Sequence, residues 1–397
     1  MGLALILGLA AATAALILCG SLVFIAYLKF FPAGVLSTSP TSDVELGADK
    51  GQAADVSNLA ISPQKEADVR RHKWQELEAL LGYRAAAAVI GEGGFSTVYL
   101  AHLPDSTLAA LKVYAGGGGE LPRRAFRQEL DVLLRLRHPR IVRLLAYSDD
   151  REEDDDEEGV LVLEYVPNGT LHEKLHGGGT TLSWAARTRV AYEVAGAVEY
   201  LHDGGGSSLP IVHGDLTAAN VLLHVDLGPK LCDFGSARVG FSAAVRPAAP
   251  VVGSPGYTDP HYLRTGIASK KTDVYSFGVL LLELLTGRPA VGSEGGMTLA
   301  AAMAPRLRGA GSGVAEVVDP RLGGEYEEAE AAAMAAIAAS CVGEQPTLRP
   351  SMTEIRCIMR EAVGSSVMST FDEGSDGQNK GTKESSKVGL GPQGKNF

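Results

Sequence analysis

The chain has 397 residues, 45% of them hydrophobic, which is enough apolar material for one or two domains with real cores and excludes a wholly disordered protein. The net charge is −11, but residues 149–158 hold nine acidic residues and one arginine and so account for −8 of it; we interpret this run as a solvated insertion. No basic stripe suited to a nucleic acid is present, and four cysteines without paired spacing favour a reducing compartment.

The first 28 residues include an apolar segment long enough to cross a membrane. Residues 3–28 carry no charge, and a helix of that length would span about 39 Å, more than the roughly 30 Å of the hydrocarbon core. Met1-Gly2 offers no basic side chain of the kind that precedes a cleaved signal peptide, and Lys29 directly follows the apolar run. We therefore predict one transmembrane helix at residues 3–28, with a signal peptide of unusual flanks as the alternative.

The composition changes after this segment. Residues 29–83 are predicted to be a juxtamembrane linker, rich in Ser, Pro, Asp, Gly and Ala, with a short amphipathic helix over residues 66–81. Residues 84–361 contain no internal repeat and are predicted to form one globular unit. The last segment, residues 362–397, is dominated by Gly, Ser, Lys and Gln, and we predict a disordered tail.

A strand, a glycine turn and a second strand open the globular unit. The string VIGEGGFSTVYLAHL at residues 89–103 has a β pattern interrupted by glycines, and LAALKVY at residues 108–114 is a strand with Lys112 inside it. Backbone N–H groups can approach a phosphate closely where no Cβ intervenes, so this hairpin is a candidate phosphate-binding loop. A glycine-rich hairpin without a ligand is the alternative, since Ser96 stands where a GxGxxG pattern has its third glycine.

Lys112 needs an anionic partner, because a lysine inside an apolar strand is costly unless its charge is paired. Residues 122–137 have a proline at their start, His-Pro directly after them and apolar residues at helical spacing, which predicts a helix. Glu129 lies at the edge of the apolar stripe of this helix. By itself Glu129 is typical of a solvated flank, but if it faces the strand it can pair with Lys112 and hold that lysine toward phosphates.

Two downstream strings supply oxygen ligands. IVHGDLTAANVLL at residues 211–223 contains Asp215 and Asn220, and LCDFGSA at residues 231–237 places Asp233 between a short apolar strand and a glycine. One carboxylate can accept a hydroxyl proton, while an amide and a second carboxylate can bind Mg²⁺ that bridges substrate phosphates. Each residue alone could belong to a turn, but in this order, with the lysine and glutamate upstream, they predict a phosphoryl-transfer site.

Taken together, these strings resemble a eukaryotic protein kinase, and most of all the plant receptor-like kinases and their cytoplasmic relatives, over about residues 84–361. The resemblance implies an α+β fold of two lobes, with an antiparallel N-lobe sheet plus helix C and a mainly helical C-lobe, here preceded by one transmembrane helix. LVLEYVPNGTL then resembles the hinge, with Leu163 as gatekeeper, and GSPGYTDPHY the substrate-side segment. TDVYSFGVLLLELLTGRPA resembles the central helix F, and RPSM the late arginine motif.

The resemblance also implies a role for each candidate residue. Asp215 is implied as the catalytic base, Lys112 and Glu129 as the ion pair that grips the phosphates, and Asn220 and Asp233 as the Mg²⁺ ligands. The residues implied in binding ATP are Gly91, Glu92, Gly93, Gly94, Phe95, Ser96, Val98, Ala110, Lys112, Glu164, Val166 and Leu222.

The implied protein is a single-pass enzyme with its kinase unit in the cytosol, at the plasma membrane. It would transfer the γ-phosphoryl group of ATP to Ser or Thr of protein substrates and respond to a co-receptor or an upstream kinase. The alternative is a pseudokinase scaffold that binds nucleotide or partner proteins with little or no transfer. The catalytic-loop string alone also resembles small atypical kinases, but the glycine-rich loop argues against that assignment.

Three positions depart from the family pattern. Gly214 replaces the arginine that responds to activation-loop phosphorylation in many relatives, so the chain resembles the non-RD kinases and such gating is not expected. Thr217 replaces a lysine that contacts the γ-phosphate, which predicts slow turnover. His261 replaces a glutamate that pairs with the late arginine, here Arg349, so that Arg349 is expected to need another acceptor.

Overall fold

In a computed structural model of the chain, a smaller lobe built on one sheet precedes a larger, mainly helical lobe, and both belong to one unit that spans residues 66–397. This confirms the predicted two-lobed α+β fold. The structure describes residues 69–72, 77, 88–103, 106–114, 120–149, 159–206, 209–240, 253–292, 296–308 and 314–363.

The smaller lobe contains a six-stranded sheet in the order β1-β5-β6-β4-β3-β2. Its strands are β1 (Arg70–Arg71), β2 (Val89–Glu92), β3 (Ser96–His102), β4 (Leu108–Tyr114), β5 (Leu144–Ser148) and β6 (Val160–Glu164). All neighbours are antiparallel except β1, which pairs parallel with β5. Strand β4 lies between β3 and β6, with Lys112 opposite Val98 on one side and Leu161 on the other. Lys112 is therefore held in the middle of the sheet.

One helix, α1 (Glu120–Leu133), covers this sheet where the sequence predicts a helix over residues 122–137. Its apolar stripe packs on β4, where the rings of Phe126 and Tyr114 meet edge to face with centroids 5.5 Å apart. The ring of Phe126 also lies over Gly159, where a Cβ atom would come within 2.6 Å of it. These contacts fix the rotation of α1 and turn Glu129 toward the sheet.

The predictions for the two ends of the chain have different outcomes. The transmembrane helix predicted at residues 3–28 lies outside the described residues, and none of the described helices is long and apolar enough to cross a membrane. The amphipathic helix over 66–81 is wrong at Arg70–Arg71, which forms β1 because the edge of β5 offers backbone groups to pair with. The predicted tail begins too early, since Val363 is fully buried; residues 364–397 lie outside the described part.

The larger lobe is organised around one buried helix, α5 (Lys270–Thr286). Every residue of α5 after its first turn is buried, and Gly287 ends it in the left-handed conformation with a φ of 64°. This is the helix predicted as central, and it packs against α3, α6 and α7. The other helices of the lobe are α2 (Leu171–His176), α3 (Trp184–His202), α4 (Pro260–Thr265), α6 (Leu299–Arg308), α7 (Glu328–Cys341) and α8 (Met352–Ala362).

Four short strands hold the two loops that carry the predicted catalytic residues. Strand β7 (Ile211–Val212) pairs with β10 (Arg238–Val239), and β8 (Val221–Leu223) pairs with β9 (Pro229–Leu231). The loop from β7 to β8 contains Asp215 and Asn220, and the loop from β9 to β10 contains Asp233. Both loops begin and end at these two strand pairs. The two loops therefore lie close together although they are apart in sequence.

Candidate active site

Lys112 lies between two carboxylates. Its Nζ is 2.7 Å from Oε2 of Glu129 on α1 and 2.8 Å from Oδ1 of Asp233. Glu129 is fully buried, so it is not a solvated flank residue. Burial by itself would lower the pKa of Lys112, but the carboxylates of Glu129 and Asp233 outweigh it and hold that pKa well above its ordinary value. Lys112 is therefore a permanent cation that joins α1, the sheet and the loop after β9.

Tyr114 is a further member of this cluster that sequence reasoning missed. Its hydroxyl donates a hydrogen bond to Oε2 of Glu129, the same oxygen that Lys112 contacts. The other carboxylate oxygen of Glu129 has no hydrogen-bond partner in the described part of the chain. A signal was present in the sequence, because Tyr114 follows Lys112 by two residues and shares its face of the strand. Tyr114 thus helps to orient the glutamate.

We expect Tyr114→Phe to lower the free energy of unfolding by about 1–2 kcal/mol, because the buried carboxylate loses a charge-assisted hydrogen bond. The same change should raise the KM for ATP while leaving the fold intact, since Glu129 keeps its ion pair with Lys112. Denaturant unfolding and steady-state kinetics measure the two effects. Tyr147→Phe, on β5, is the control and should change neither. Equal behaviour of the two variants would contradict a role for the Tyr114 hydroxyl.

The carboxylate of Asp215 is held by two donors. Its Oδ2 accepts from the side-chain nitrogen of Asn220 at 3.2 Å, and its Oδ1 accepts from the backbone N–H of Ser254 at 3.2 Å. The Asn220 nitrogen also donates to the backbone carbonyl of Asp215 at 2.8 Å. Since the nitrogen of this amide is occupied, its oxygen is the atom left to bind a cation.

Thr217 has a structural task in this loop. Its hydroxyl accepts from the backbone N–H of Asn220 at 3.2 Å and caps the 3-10 turn Ala218–Asn220. The side chain is buried, so Thr217 supports the position of Asn220. A lysine at this position would remove that cap.

Asp273, near the start of α5, fixes the backbone of the catalytic loop. Its carboxylate accepts from the backbone N–H of His213 at 2.8 Å and of Gly214 at 2.9 Å, and it also contacts Nε2 of His202 at 2.8 Å. Gly214 has a φ of 79°, and a Cβ atom there would lie 2.6 Å from the backbone oxygen of Ser236. The backbone in this conformation therefore requires glycine at 214, which gives a local reason for the missing arginine.

Asp233 combines a left-handed backbone with a half-exposed carboxylate. Its φ is 61°, and its side chain is 45% exposed while the following Phe234 is fully buried. Burial would raise the pKa of Asp233, but the Lys112 ammonium outweighs it and lowers that pKa. An ionised carboxylate that is partly open to solvent is well suited to bind a cation.

The glycine-rich hairpin is closed by its own backbone. Gly91 pairs with Val98 across the two strands, and the N–H of Gly93 donates to the carbonyl of Ser96 at 2.8 Å. Neither Gly93 nor Gly94 has a positive φ, and a Cβ atom on Gly94 would meet nothing within 4 Å. The fold of the hairpin does not itself demand these glycines, so their open surface is available to a ligand.

The remaining residues predicted to bind ATP lie on neighbouring strands or after them. Ala110 is flanked by Leu100 on β3 and Leu163 on β6, while Val166 is buried just beyond β6 and Leu222 lies on β8. The side chain of Glu164 has partners of its own, which are Nζ of Lys230 at 2.7 Å and the backbone N–H of Arg143 at 2.8 Å. Its backbone N–H also donates to the carbonyl of Arg143, at 3.0 Å.

Arg349 has the other acceptor that it was expected to need in place of the usual glutamate. Its guanidinium is buried and makes two bonds to the carboxylate of Asp259, at 2.7 and 2.9 Å. It also donates to the carbonyls of Gly343 at 2.8 Å and Lys271 at 2.9 Å. The carboxylate that replaces the usual glutamate therefore comes from Asp259, two residues before His261 in the same string.

A two-lobed fold in which a strand lysine pairs with a helix glutamate and with a loop aspartate is that of a protein kinase. The protein kinase domain family model matches residues 85–358. The chain is 49% identical over 352 residues to salt tolerance receptor-like cytoplasmic kinase 1 of Oryza sativa subsp. japonica, covering 86% of this chain and 92% of that one. It is 42% identical over 302 residues to a probable receptor-like protein kinase of Arabidopsis thaliana, covering 72% and 85%.

A third relative, a probable serine/threonine-protein kinase of Arabidopsis thaliana, is 35% identical over 309 residues, covering 75% of this chain and 80% of that one. The chain belongs to the protein kinase family, as a serine/threonine kinase of the plant receptor-like type. Members of this family use ATP and a divalent metal ion.

Proposed function

We propose that this chain is a catalytically competent, membrane-anchored kinase that transfers the γ-phosphoryl group of Mg-ATP to Ser or Thr of protein substrates. The observation that supports it most is the pairing of Lys112 with Glu129 at 2.7 Å and with Asp233 at 2.8 Å. In this arrangement the lysine is already aligned by α1, so little reorganisation is needed before it contacts phosphate oxygens.

Asp215 is the proposed proton acceptor. Its two donors, Asn220 and the N–H of Ser254, hold the carboxylate in one orientation, so that it can accept the proton of a substrate hydroxyl without losing its position. Ser254 belongs to the segment predicted to lie on the substrate side, which supports a role for this contact near an arriving protein substrate.

Asn220 and Asp233 are the proposed ligands of the magnesium ion. An amide oxygen and an ionised carboxylate are the hard donors that Mg²⁺ prefers, and the lowered pKa of Asp233 keeps its carboxylate charged. When bound, the ion would supply positive charge that neutralises the charge developing on the phosphate oxygens. The glycine-rich hairpin, with Gly91 to Ser96 and Val98, would cover the phosphates of ATP. The adenine ring would be surrounded by Ala110, Glu164, Val166 and Leu222.

The pseudokinase alternative has less support. Of the departures that favour it, Thr217 and Gly214 each have a local structural role, and His261 leaves no arginine unpaired. The lysine, both carboxylates and the amide are retained. Single-turnover transfer from labelled Mg-ATP, compared between the wild type and Asp215→Asn, tests this proposal.

The membrane anchor rests on the sequence alone. We place the transmembrane helix at residues 3–28, then the linker and the kinase domain, with the tail after Val363. The anchor would hold the kinase domain on the cytosolic face of the plasma membrane, near a co-receptor or an upstream kinase. Protein substrates would then be reached from the cytosol.

In sealed vesicles with the cytosolic face inside, we expect added protease to leave the kinase domain intact until detergent is added. The reason is that 26 uncharged residues at positions 3–28 are enough to span the hydrocarbon core. A variant lacking residues 3–28 is the control and should appear in the soluble fraction. Recovery of the wild type as a soluble chain cleaved near residue 28 would show a signal peptide instead of an anchor.

A further inference from the structure

A second group of metal-binding side chains lies in the larger lobe and plays no part in the site described above. His172 and His176 stand four residues apart on α2, which places both rings on one face of the helix, with centroids 4.9 Å apart. Glu283, from the last turn of the central helix α5, contacts His176, with Oε1 3.1 Å from Nε2. One ligand atom from each of the three lies within 4.8 Å of the others.

The types of side chain indicate which ion could bind. Two imidazole nitrogens and one carboxylate oxygen form a common ligand set for Zn²⁺, whose bonds to nitrogen and oxygen are about 2.0–2.2 Å long. A tetrahedral ion with such bonds brings its ligand atoms to about 3.4 Å from one another. His172 is exposed, so a rotation of its side chain alone can close the remaining distance. The fourth position would be open to water.

The carboxylate of Glu283 is held ready by other groups. Its Oε2 accepts from the hydroxyl of Tyr257, and its Oε1 accepts from the backbone N–H of Ala290 at 3.0 Å. Such outer bonds fix the direction of a ligating carboxylate. Glu283 is fully buried, and no lysine or arginine forms a salt bridge with it among the described residues. A buried carboxylate of this kind gains from a bound cation.

We propose that His172, His176 and Glu283 bind a divalent ion of the zinc class, which joins α2 to the central helix α5. The ion would also be linked to the catalytic loop, because the Tyr257 hydroxyl that donates to Glu283 accepts from the N–H of Ala218 at 3.1 Å. This site takes a borderline-soft ion through imidazole, whereas the magnesium site uses hard oxygen ligands.

Titration of the chelator-treated full chain with Co²⁺, followed by the visible bands of tetrahedral Co²⁺, tests the site. We expect one equivalent to bind with these bands in the wild type, and the same affinity in His102→Ala, which removes an exposed histidine on β3. His172→Ala and His176→Ala should each weaken binding by at least about 100-fold, since each removes a direct ligand. Excess Zn²⁺ should raise the melting temperature of the wild type and of His102→Ala but not of His172→Ala.

His172 is exposed, so its replacement keeps the fold even if the His176 variant is unstable. Unchanged Co²⁺ affinity in His172→Ala would overturn the proposal and assign the bound ion to another place, such as the acidic run at residues 149–158. Absence of tetrahedral bands in the wild type would overturn it too, and would leave His176 and Glu283 as a simple hydrogen-bonded pair.

Discussion

Asp215→Asn should lower the rate of phosphoryl transfer by about 10²- to 10⁴-fold, because the proposed proton acceptor is lost from the chemical step. The affinity for Mg-ATP should stay near that of the wild type. Asparagine has nearly the same shape and keeps an oxygen that can accept from Ser254; it loses the contact of Oδ2 with the Asn220 nitrogen, which keeps its bond to the backbone carbonyl of residue 215. Single-turnover transfer and calorimetric nucleotide binding, measured on the same preparation, separate the two quantities.

Asp233→Asn provides the contrast to this variant. It removes a carboxylate from the proposed magnesium site and one of the two ionic partners of Lys112, so Mg-ATP binding itself should weaken. Asp131→Asn, which breaks the exposed ion pair between Asp131 on α1 and Arg135, is the control and should leave binding and transfer unchanged. Suppose instead that the wild type binds Mg-ATP but transfers no more phosphoryl than Asp215→Asn does. The protein is then a scaffold and not an enzyme.

The main elements of the fold could be predicted because their signals are local. Helix α5 is apolar nearly all round and is followed by Gly287, and α1 has an apolar stripe and a His-Pro sequence shortly after its end. Strand β1 could not be predicted, since the two arginines at 70–71 become a strand only by pairing with β5, more than 70 residues away. No pattern within the segment itself contains that information.

The residues of the candidate site also fall into two groups: those that a short sequence pattern reveals and those that depend on a distant partner. The lysine, glutamate, aspartates and asparagine were found because they occur in short strings whose order is diagnostic. Tyr114 and Asp259 were missed, because each acts through a partner that is distant in sequence. The sequence showed that Gly214 departs from the family pattern, but it did not show why. A Cβ atom at 214 would collide with the backbone oxygen of Ser236, and that contact exists only in the folded chain.

The pair of Asp259 and Arg349 should contribute strongly to the stability of the larger lobe. Both side chains are almost fully buried, so Asp259→Asn would leave the guanidinium charge without a counter-charge. We expect this variant to lower the free energy of unfolding by about 3–5 kcal/mol. Asparagine can still accept from the N–H of His261 and cap α4, so the loss reports the ion pair and not the cap. Denaturant unfolding followed by circular dichroism measures it.

His261→Glu is the matched test of the same contact. If Arg349 lacked a carboxylate, a glutamate at 261 would stabilise the lobe. Because Asp259 already makes two bonds to Arg349, and the carbonyls of Gly343 and Lys271 accept two more, the guanidinium has little left to donate. We therefore expect His261→Glu to change the free energy of unfolding by less than about 1 kcal/mol. A clear gain in His261→Glu, or no loss in Asp259→Asn, would mean that Asp259 does not neutralise this arginine.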